Sequence, residues 1–502
     1  MTQSEARIRE RAPNPAVPEP PADIYAAPLD RALVRQIISG IMLAMFLSAL
    51  EQTIVAPALP TLGRVLADVE NLSFVVTAYL LAATAVTPLF GKFADIHGRR
   101  LALLIAVAIF LVGSIACALA PSMGALIAGR ALQGIGGGGI LPIAQTIIAD
   151  LLSPRERPLY QSYSAVMFMA ASILGPVLGG FLTEYLHWSL IFWINVPMGA
   201  VALVMTDRAL RKLPRYERPH RLDFLGAGLM VAAALVLMLA LAWGGRRYPW
   251  VSQEILGLVL ASVILWCLFA WRLVRAPEPF IPTAVLRDRV VAAIVVAGFF
   301  AIGTIIGLTI MTPLYLGLVV GLKAGESSLA LIAFVVGTTV GAMAAGRAMA
   351  RLERYKRVPL IGLVVAVVLL AVLAVNPAGY SLTGICVLLL VAGAGLGPMY
   401  PTTTIVIQNV VAPHHTGTAT GTLNFFRQLG GSIIVASFGA IVLGAASETA
   451  TLDTLSGGGH ASAQFAAAFR WVFIAAAVFL SLACLAMMAV EERPLRGRGE
   501  NG

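Results

Sequence analysis

The sequence has little charge for its length. Only 12% of its 502 residues are Asp, Glu, Lys or Arg, whereas an average soluble domain carries about 25%. This scarcity excludes an ordinary soluble globular protein. Apolar runs long enough to cross a bilayer as helices instead recur along the whole chain. The sequence therefore predicts an all-α polytopic membrane protein.

Cysteines are few and have no paired spacing. Cys117, Cys267, Cys386 and Cys484 each fall in a different apolar segment. Neither a disulfide framework nor a metal site is therefore supported, and we expect these side chains to be buried in packing. The adjacent pair His414-His415 is expected to face solvent rather than to bind a metal.

A phosphate-binding loop is also missing. The glycine run 135–140 follows no predicted strand and precedes no Lys-Ser/Thr pair, and Val86 stands where a loop ending at Lys92 would need its first glycine. Nucleotide binding is thereby excluded, so we expect an ion gradient as the energy source and no cofactor. The net charge of +10 would suggest nucleic acid in a soluble protein. Here the charges lie in short loops, so no nucleic acid partner is expected.

The apolar segments predict fourteen transmembrane helices. They lie at about 38–58, 73–92, 101–120, 124–149, 161–184, 189–208, 222–243, 253–273, 291–316, 327–349, 358–375, 380–409, 417–444 and 468–490. An even number places both termini on one side of the membrane. Of the 35 Lys and Arg residues, 28 fall in tails and loops on that side and 4 in loops on the other. The positive-inside rule therefore makes both termini cytoplasmic.

Two basic loops divide the spans into groups of six, two and six. The predicted order is a disordered cytoplasmic tail (1–36), an N-terminal six-helix bundle (37–208), a cytoplasmic loop (209–221), two additional helices (222–273), a second cytoplasmic loop (274–290), a C-terminal six-helix bundle (291–490) and a cytoplasmic tail (491–502). The Gly/Ser/Thr-rich segment 448–464 is expected to be a flexible external loop. Two six-helix halves are the pattern of secondary transporters with internal repeats.

Glu51 is the one acid deep in any predicted span. A rise of ~1.5 Å per residue places it slightly past the membrane midplane. A carboxylate at that depth costs at least ~2.5 kcal/mol on insertion scales. It must therefore face water, meet a cation or take up a proton, and each of these suggests transport. A coupling site needs burial, which favours the protonated carboxyl, to be balanced by a cation, which favours release.

Arg130, in the fourth span, is a candidate partner. The helix rise places it ~10 Å outward of the midplane, against ~4.5 Å for Glu51. An always-charged guanidinium would favour proton release from Glu51 if the first and fourth spans adjoin. The alternatives are a fixed structural ion pair with Glu51, or satisfaction of Arg130 by backbone carbonyls and Gln133.

Six short motifs follow one another along residues 37–444. They are the stretch Leu50–Pro60, Gly91-x-x-x-Asp95-x-x-Gly98-Arg99-Arg100, Arg130-Ala131-Leu132-Gln133-Gly134-Ile135-Gly136, Gly175-Pro176-Val177-Leu178-Gly179-Gly180, Ile191–Pro197 and Asn424–Gly430. In this order they resemble motifs of the major facilitator superfamily and of its fourteen-helix drug:proton antiporters. Those relatives usually have Asp at the position of Glu51. Glu keeps the charge and adds one methylene, so protonation chemistry survives the change.

The resemblance implies a conformational latch in the loop after the second span. Gly91, Asp95, Gly98 and Arg99 would form it. Asp95 would contact a helix N-terminus or a cation in one state and lose it in the other. The alternative is ordinary solvation of a loop.

The resemblance also implies a hinge at the antiporter signature. Gly175, Pro176, Gly179 and Gly180 would form a sealed, bendable interface between the two halves, because proline kinks the helix and glycines allow close approach. Plain helix packing is the alternative.

A pocket for many drugs needs large, adaptable apolar walls. The candidates by depth are Phe46, Gln52, Tyr79, Met167, Phe168, Met169, Phe299, Phe300, Met311, Tyr315, Tyr400 and Arg427. Arg427 lies mid-span in a half with no membrane acid. It could meet an anionic substrate group or hydrogen-bond to carbonyls at the interface between halves, and the structural role is favoured.

These features predict a proton-coupled exporter of amphipathic, cationic drug-like compounds that works by alternating access. Its implied location is the bacterial inner membrane, and its partners are the bilayer, small-molecule substrates and protons. We expect a monomer that is not an enzyme. One alternative is a dedicated exporter of a single metabolite or lipid. The other, a receptor or membrane enzyme, is disfavoured because the spans hold no catalytic constellation.

Overall fold

The computed structural model describes residues 31–492 except 69, 212–222, 246, 277–278, 282–287, 353–354 and 448–459. Several expected segments lie wholly or partly outside this description. They are most of the N-terminal tail (1–36), most of the loop 209–221, part of the loop 274–290, the greater part of 448–464, and all but two residues of the C-terminal tail (491–502).

The described N-terminal part of the chain is helical. Its elements are α1 (Arg31–Ile54), α2 (Leu59–Val65), α3 (Leu72–His97), α4 (Arg99–Ala118), α5 (Met123–Leu151), α6 (Arg157–Tyr185), α7 (Leu190–Trp193) and α8 (Asn195–Leu210). A short 3₁₀ turn, Ala56–Ala58, joins α1 to α2 around Pro57. This interruption is expected because proline lacks the backbone N–H that a continuous helix needs.

The remaining helices follow in two groups. They are α9 (Phe224–Trp243), α10 (Gln253–Arg275), α11 (Arg289–Tyr315), α12 (Ala324–Arg351), α13 (Arg357–Val375), α14 (Leu382–Leu396), α15 (Met399–Val410), α16 (Thr416–Ser447) and α17 (His460–Ala489). Within the described ranges, fourteen helical segments are long and apolar enough to cross a membrane. The predicted fold class is therefore confirmed.

Glycine allows the helices inside each half to approach backbone to backbone. A Cβ placed on Gly136 of α5 would lie 2.2 Å from the Phe110 nitrogen of α4, and one on Gly138 would lie 2.2 Å from the Ala83 oxygen of α3. In the C-terminal half, a Cβ on Gly341 of α12 would lie 2.0 Å from the Ala394 oxygen of α14. Such small-residue contacts are how membrane helices gain close packing.

The two halves meet along two seams. In the first, α3 runs against α16, with Thr84 donating to Gln428 Oε1 at 2.7 Å and Gly91 facing Gly417. In the second, α6 packs on α12, where Gly346 faces Pro158. Asp95 lies at one end of the first seam, and we call that end of the molecule the Asp95 end.

The additional hairpin α9–α10 lies over the α3–α16 seam. Ala234 and Met238 of α9 form one buried cluster with Phe425 and Leu429 of α16, and Leu81 of α3 packs against it. An ion pair between Asp223 and Arg272 (3.0 Å) ties α9 to α10. The hairpin therefore touches both halves on the same face of the molecule.

Gly138→Ala should destabilise the N-terminal bundle by about 1–3 kcal/mol, the usual cost of overpacking. The added methyl meets the Ala83 carbonyl, which is backbone and cannot rotate away. The measurement is thermal unfolding of the purified protein in detergent. Gly124→Ala on the same helix is the control, because a Cβ there meets nothing within 4 Å. Equal unfolding midpoints for the two variants would contradict the packing described here.

Candidate functional site

Glu51 lies inside the N-terminal bundle, with its side chain 0% exposed. Arg130 Nη1 of α5 donates to Glu51 Oε1, and the Asn195 side-chain nitrogen of α8 donates to Glu51 Oε2. Each carboxylate oxygen is therefore held by a different helix. The carboxylate cannot contact solvent in this conformation without movement of α1, α5 or α8.

The guanidinium of Arg130, 1% exposed, has partners besides Glu51. Its Nη1 also donates to Gln133 Oε1 at 2.6 Å, and its Nε donates to the Val75 carbonyl at 3.0 Å. The Tyr79 ring lies below it, with the centroid 4.5 Å from Cζ. These contacts hold the cation in place whether or not Glu51 is charged, because none of them depends on that carboxylate.

The depth prediction brought Glu51 and Arg130 together correctly, and the two side chains are ion-paired. Sequence reasoning missed Asn195 and Ser114 as members of the cluster. Ser114 Oγ accepts from Gln133 Nε2 at 2.7 Å. The available signal was a polar residue in each otherwise apolar span at a depth close to that of Arg130.

Asp95 binds the first turn of a helix in the opposite half. Its carboxylate accepts from the backbone nitrogens of Gly417 (2.9 Å) and Thr418 (2.6 Å), and from the Thr418 hydroxyl (2.6 Å). Arg99 Nη1 donates to the same carboxylate at 2.5 Å. A carboxylate at a helix N-terminus satisfies orphan N–H groups and meets the positive end of the helix dipole.

The neighbours of Asp95 fix it in this position. Arg99 also donates to Asp150 Oδ2 at the end of α5 (2.9 Å). Gly98 has φ = +89°, a conformation that favours glycine, and it allows α4 to start directly after α3. Gly91 approaches so closely that a Cβ on it would lie 2.4 Å from the Gly417 oxygen. The four predicted latch residues therefore lie together at the first seam.

In the motif 175–180, Gly175 and Gly179 face α1 of their own half. A Cβ on Gly175 would lie 2.0 Å from Thr53 Oγ1, and one on Gly179 would lie 2.2 Å from the Ile54 oxygen, whereas Gly180 has open space. Pro176 is exposed. The expectation that this motif seals an interface between halves is therefore wrong for this conformation. The contact between halves on α6 lies nearer the Asp95 end, at Pro158 and Ser162.

Three predicted pocket residues are core residues instead. Tyr79 lies under Arg130, Met311 is buried in the C-terminal core, and the Tyr315 hydroxyl donates to the Pro377 carbonyl at 2.5 Å between the rings of Phe469 and Phe473. Their assignment to an open pocket is corrected because all three residues are buried, at most 8% exposed. Of the others, Gln52 is exposed, and Phe46, Met167, Phe168, Met169, Phe299, Phe300 and Tyr400 are half-buried.

Arg427 is buried in the C-terminal half, 3% exposed. Its Nη1 donates to Asn424 Oδ1 at 3.1 Å, and its Nη2 donates to the Tyr400 carbonyl (3.1 Å) and to Thr404 Oγ1 (2.9 Å). All of these acceptors are neutral. Asn424 in turn donates to Gln145 Oε1 of the opposite half at 2.7 Å, so the Arg427 cluster adjoins a contact between halves.

Among the fourteen membrane-spanning candidates are two helical bundles that meet through polar contacts. One bundle encloses the ion pair of Glu51 and Arg130. These features define the class of the protein as a polytopic membrane protein built from two bundles. The sequence-family model for the Major Facilitator Superfamily matches residues 41–435 of the chain. The chain belongs to the major facilitator superfamily.

Several curated relatives support this assignment. An uncharacterised MFS-type transporter of Mycobacterium tuberculosis is 34% identical over 84% of this chain, and the match covers 61% of that protein. Multidrug resistance protein 3 of Bacillus subtilis is 31% identical over 82% of this chain and 80% of its own length. The multidrug transporter protein MdtP of the same species is 31% identical over 81% and 75%.

Solved structures share the fold. The human organic anion transporter MFSD10 superposes with a TM-score of 0.63 at 17% identity, covering 89% of this chain and 99% of that one. A bacterial homologue of the iron transporter ferroportin, in an outward-facing state, gives 0.64 at 12% identity, covering 92% and 100%. At these identities the likeness concerns the fold alone.

Asp95→Asn should open the Asp95 end. The amide loses the charge that favours the N-terminus of α16, and charge-assisted hydrogen bonds of this kind contribute ~1.5–3 kcal/mol each. Leu101 and Leu352 are exposed positions on opposite halves. Nitroxide labels at Leu101→Cys and Leu352→Cys would report the distance between the halves by pulsed electron paramagnetic resonance. We expect a longer distance to become populated.

Asp207→Asn is the matched control for this latch experiment. Asp207 pairs with Arg100 within the N-terminal half (2.5 Å), so its loss should leave the label distance unchanged. An unchanged distribution in Asp95→Asn, or an equal shift in both variants, would exclude the latch.

Proposed function

We propose that the chain is a proton-coupled exporter of amphipathic, drug-like compounds that works by alternating access. The observation that carries this proposal is the fully buried pair of Glu51 and Arg130, a protonatable group in the membrane interior with a built-in counter-charge. Membership of the major facilitator superfamily and relatives named as multidrug proteins support it. We place the protein in a bacterial inner membrane as a monomer with both termini cytoplasmic.

The Asp95 end is then the cytoplasmic end, and it is closed here. The seam is tied over the length of α3 from Thr84 to Asp95, eleven residues or about 16 Å of helix. Its hydrogen bonds are made by side chains such as Asp95 and Gln145, which can exchange partners. Opening this end would release the N-terminus of α16 from Asp95.

A proton on Glu51 would weaken the attraction between α1 and α5 inside the N-terminal bundle. The neutral carboxyl loses its attraction to Arg130, while Arg130 keeps the Val75 carbonyl, Gln133 and the Tyr79 ring. Helices α1 and α5 are then free to shift relative to each other. In the cycle that we propose, Glu51 takes a proton from outside as substrate leaves and releases it to the cytoplasm before new substrate binds.

The proton gradient would supply the free energy, and no cofactor takes part. A membrane potential contributes ~2.3 kcal/mol per charge per 100 mV. This is similar to one charge-assisted hydrogen bond of the latch, ~1.5–3 kcal/mol. One proton therefore has the scale needed to bias an equilibrium between the two states.

Cationic compounds are part of the proposed substrate class because Glu51 is the deep acid of the spans. In the present conformation both of its oxygens are engaged, by Arg130 and Asn195. A cation could therefore contact this carboxylate only after one of these two side chains moves away.

Glu51→Gln should abolish uphill export driven by an imposed pH gradient while leaving downhill exchange measurable. Gln cannot carry the proton, yet it fills the same space and can still accept from Asn195. The measurement is flux of a fluorescent dye in proteoliposomes with the pH gradient imposed, then collapsed.

Glu184→Gln is the control, since Glu184 is an exposed acid at the far end of α6. It should leave gradient-driven flux intact. Persistence of uphill flux in Glu51→Gln would refute the coupling role of Glu51.

A further inference from the structure

Arg427 is a buried cation in a half whose described residues include no buried acid. The acids that the structure describes in this half are Glu326, in the first turn of α12, and Glu491 and Glu492, beyond the end of α17. The deep acid of the other half, Glu51, is already paired with Arg130. Among the residues that the structure describes, Arg427 is therefore a buried positive charge without an acidic partner.

The surroundings of Arg427 hold the guanidinium without neutralising it. Its acceptors are an amide oxygen, a backbone carbonyl and the hydroxyls of Thr403 and Thr404. Its Nε is buried and has no hydrogen-bond partner among the residues that the structure describes. Gly298 of α11 lies on this side, and a Cβ placed on it would lie 3.7 Å from Nε. A buried donor left bare is costly, so an additional acceptor there would stabilise the site.

Arg427 also lies beside side-chain contacts that join the two halves. Asn424, which accepts from Arg427, donates across the seam to Gln145. Gln428, the next residue in the chain, accepts across the seam from Thr84. In the proposed cycle, opening of the Asp95 end would break both links and uncover Asn424 and Gln428, on either side of Arg427. The guanidinium would then be reachable from that end.

We propose that Arg427 binds an acidic group of the exported compound, so that the substrates include amphipathic organic anions and zwitterions. Nε and one terminal nitrogen of a guanidinium form a fork that matches the two oxygens of a carboxylate. The bare Nε supplies one prong, and Nη2 supplies the other by exchanging a threonine hydroxyl for the carboxylate. This inference rests on the proposed export function and names a substrate class for it.

Three dansyl probes of similar size and different charge test the proposal. They are dansylglycine (anionic), its methyl ester (neutral) and dansyl ethylenediamine (cationic). Binding to the purified full-length protein is followed by dansyl fluorescence, and pH-driven flux is followed in proteoliposomes. The variants are Arg427→Gln, Arg427→Lys and, as a control, Arg470→Gln. Arg470 lies in the same half and donates to the carbonyls of Ala374 and Val375.

Wild-type protein should bind dansylglycine more tightly than its ester. In Arg427→Gln, affinity for dansylglycine should fall by about 10- to 100-fold, the range for a lost hydrogen bond to a charged group, while affinity for the ester changes less than threefold. Arg427→Lys should keep part of the preference, and Arg470→Gln should keep all of it.

Three results would overturn the proposal. They are no binding of dansylglycine by the wild type, no preference for dansylglycine over its ester, or an equal loss for all three probes in Arg427→Gln with Arg427→Lys behaving in the same way. The binding arm separates this inference from the export function. A carboxylate preference that depends on Arg427 without pH-driven flux would support the site and refute proton-coupled export.

Discussion

The cost of placing charge in a water-free interior governs this molecule. Glu51 and Arg130 pair with each other, and neutral groups of α3 and α8 complete their contacts: the Val75 carbonyl and Tyr79 ring around Arg130, and Asn195 at Glu51. The Asp95 carboxylate is stabilised by hydrogen bonds from a helix N-terminus and from Arg99. Arg427 has only neutral acceptors. Low-dielectric surroundings make each of these contacts strong when it is made and expensive when it is lost, so the few buried charges mark the places where conformation and chemistry are linked.

Two kinds of contact give the fold its rigid and its movable parts. Inside each half, glycines bring backbones together, as at Gly136 against Phe110 and Gly341 against Ala394. Such close backbone packing fixes the position of one helix against its neighbour. Between the halves, glycines also meet backbone, as at Gly91 against Gly417, but the hydrogen bonds run largely through side chains, as from Thr84 to Gln428. Side chains can find new partners after a rotation, so the seams can open while the bundles keep their shape.

The sequence predicted the depth of residues along the membrane normal well, and the orientation of side chains around each helix poorly. Hydropathy and helix rise place each residue along the membrane normal, which was sufficient for fourteen spans and for the proximity of Glu51 and Arg130. The way a side chain points around its helix depends on how helices are tilted and rotated against their neighbours. Tyr315 therefore looked like a pocket residue by depth and is a core residue between two phenylalanine rings. Gly175 was expected to face the opposite half and faces α1 instead, for the same reason. Asn195 was not assigned to the charge cluster because polarity alone does not reveal azimuth.

The hairpin α9–α10 makes the two seams unequal. It covers the α3–α16 seam from the lipid side through Met238 and Trp266, whereas α6 and α12 meet at a seam of their own. Within the described parts of the chain, the hairpin packs on α3 and α16 and leaves the α6–α12 seam uncovered by it. Under the proposed export function, an amphipathic compound that diffuses within the bilayer would reach the interface between the halves more directly beside α6 and α12 than beside the covered α3–α16 seam.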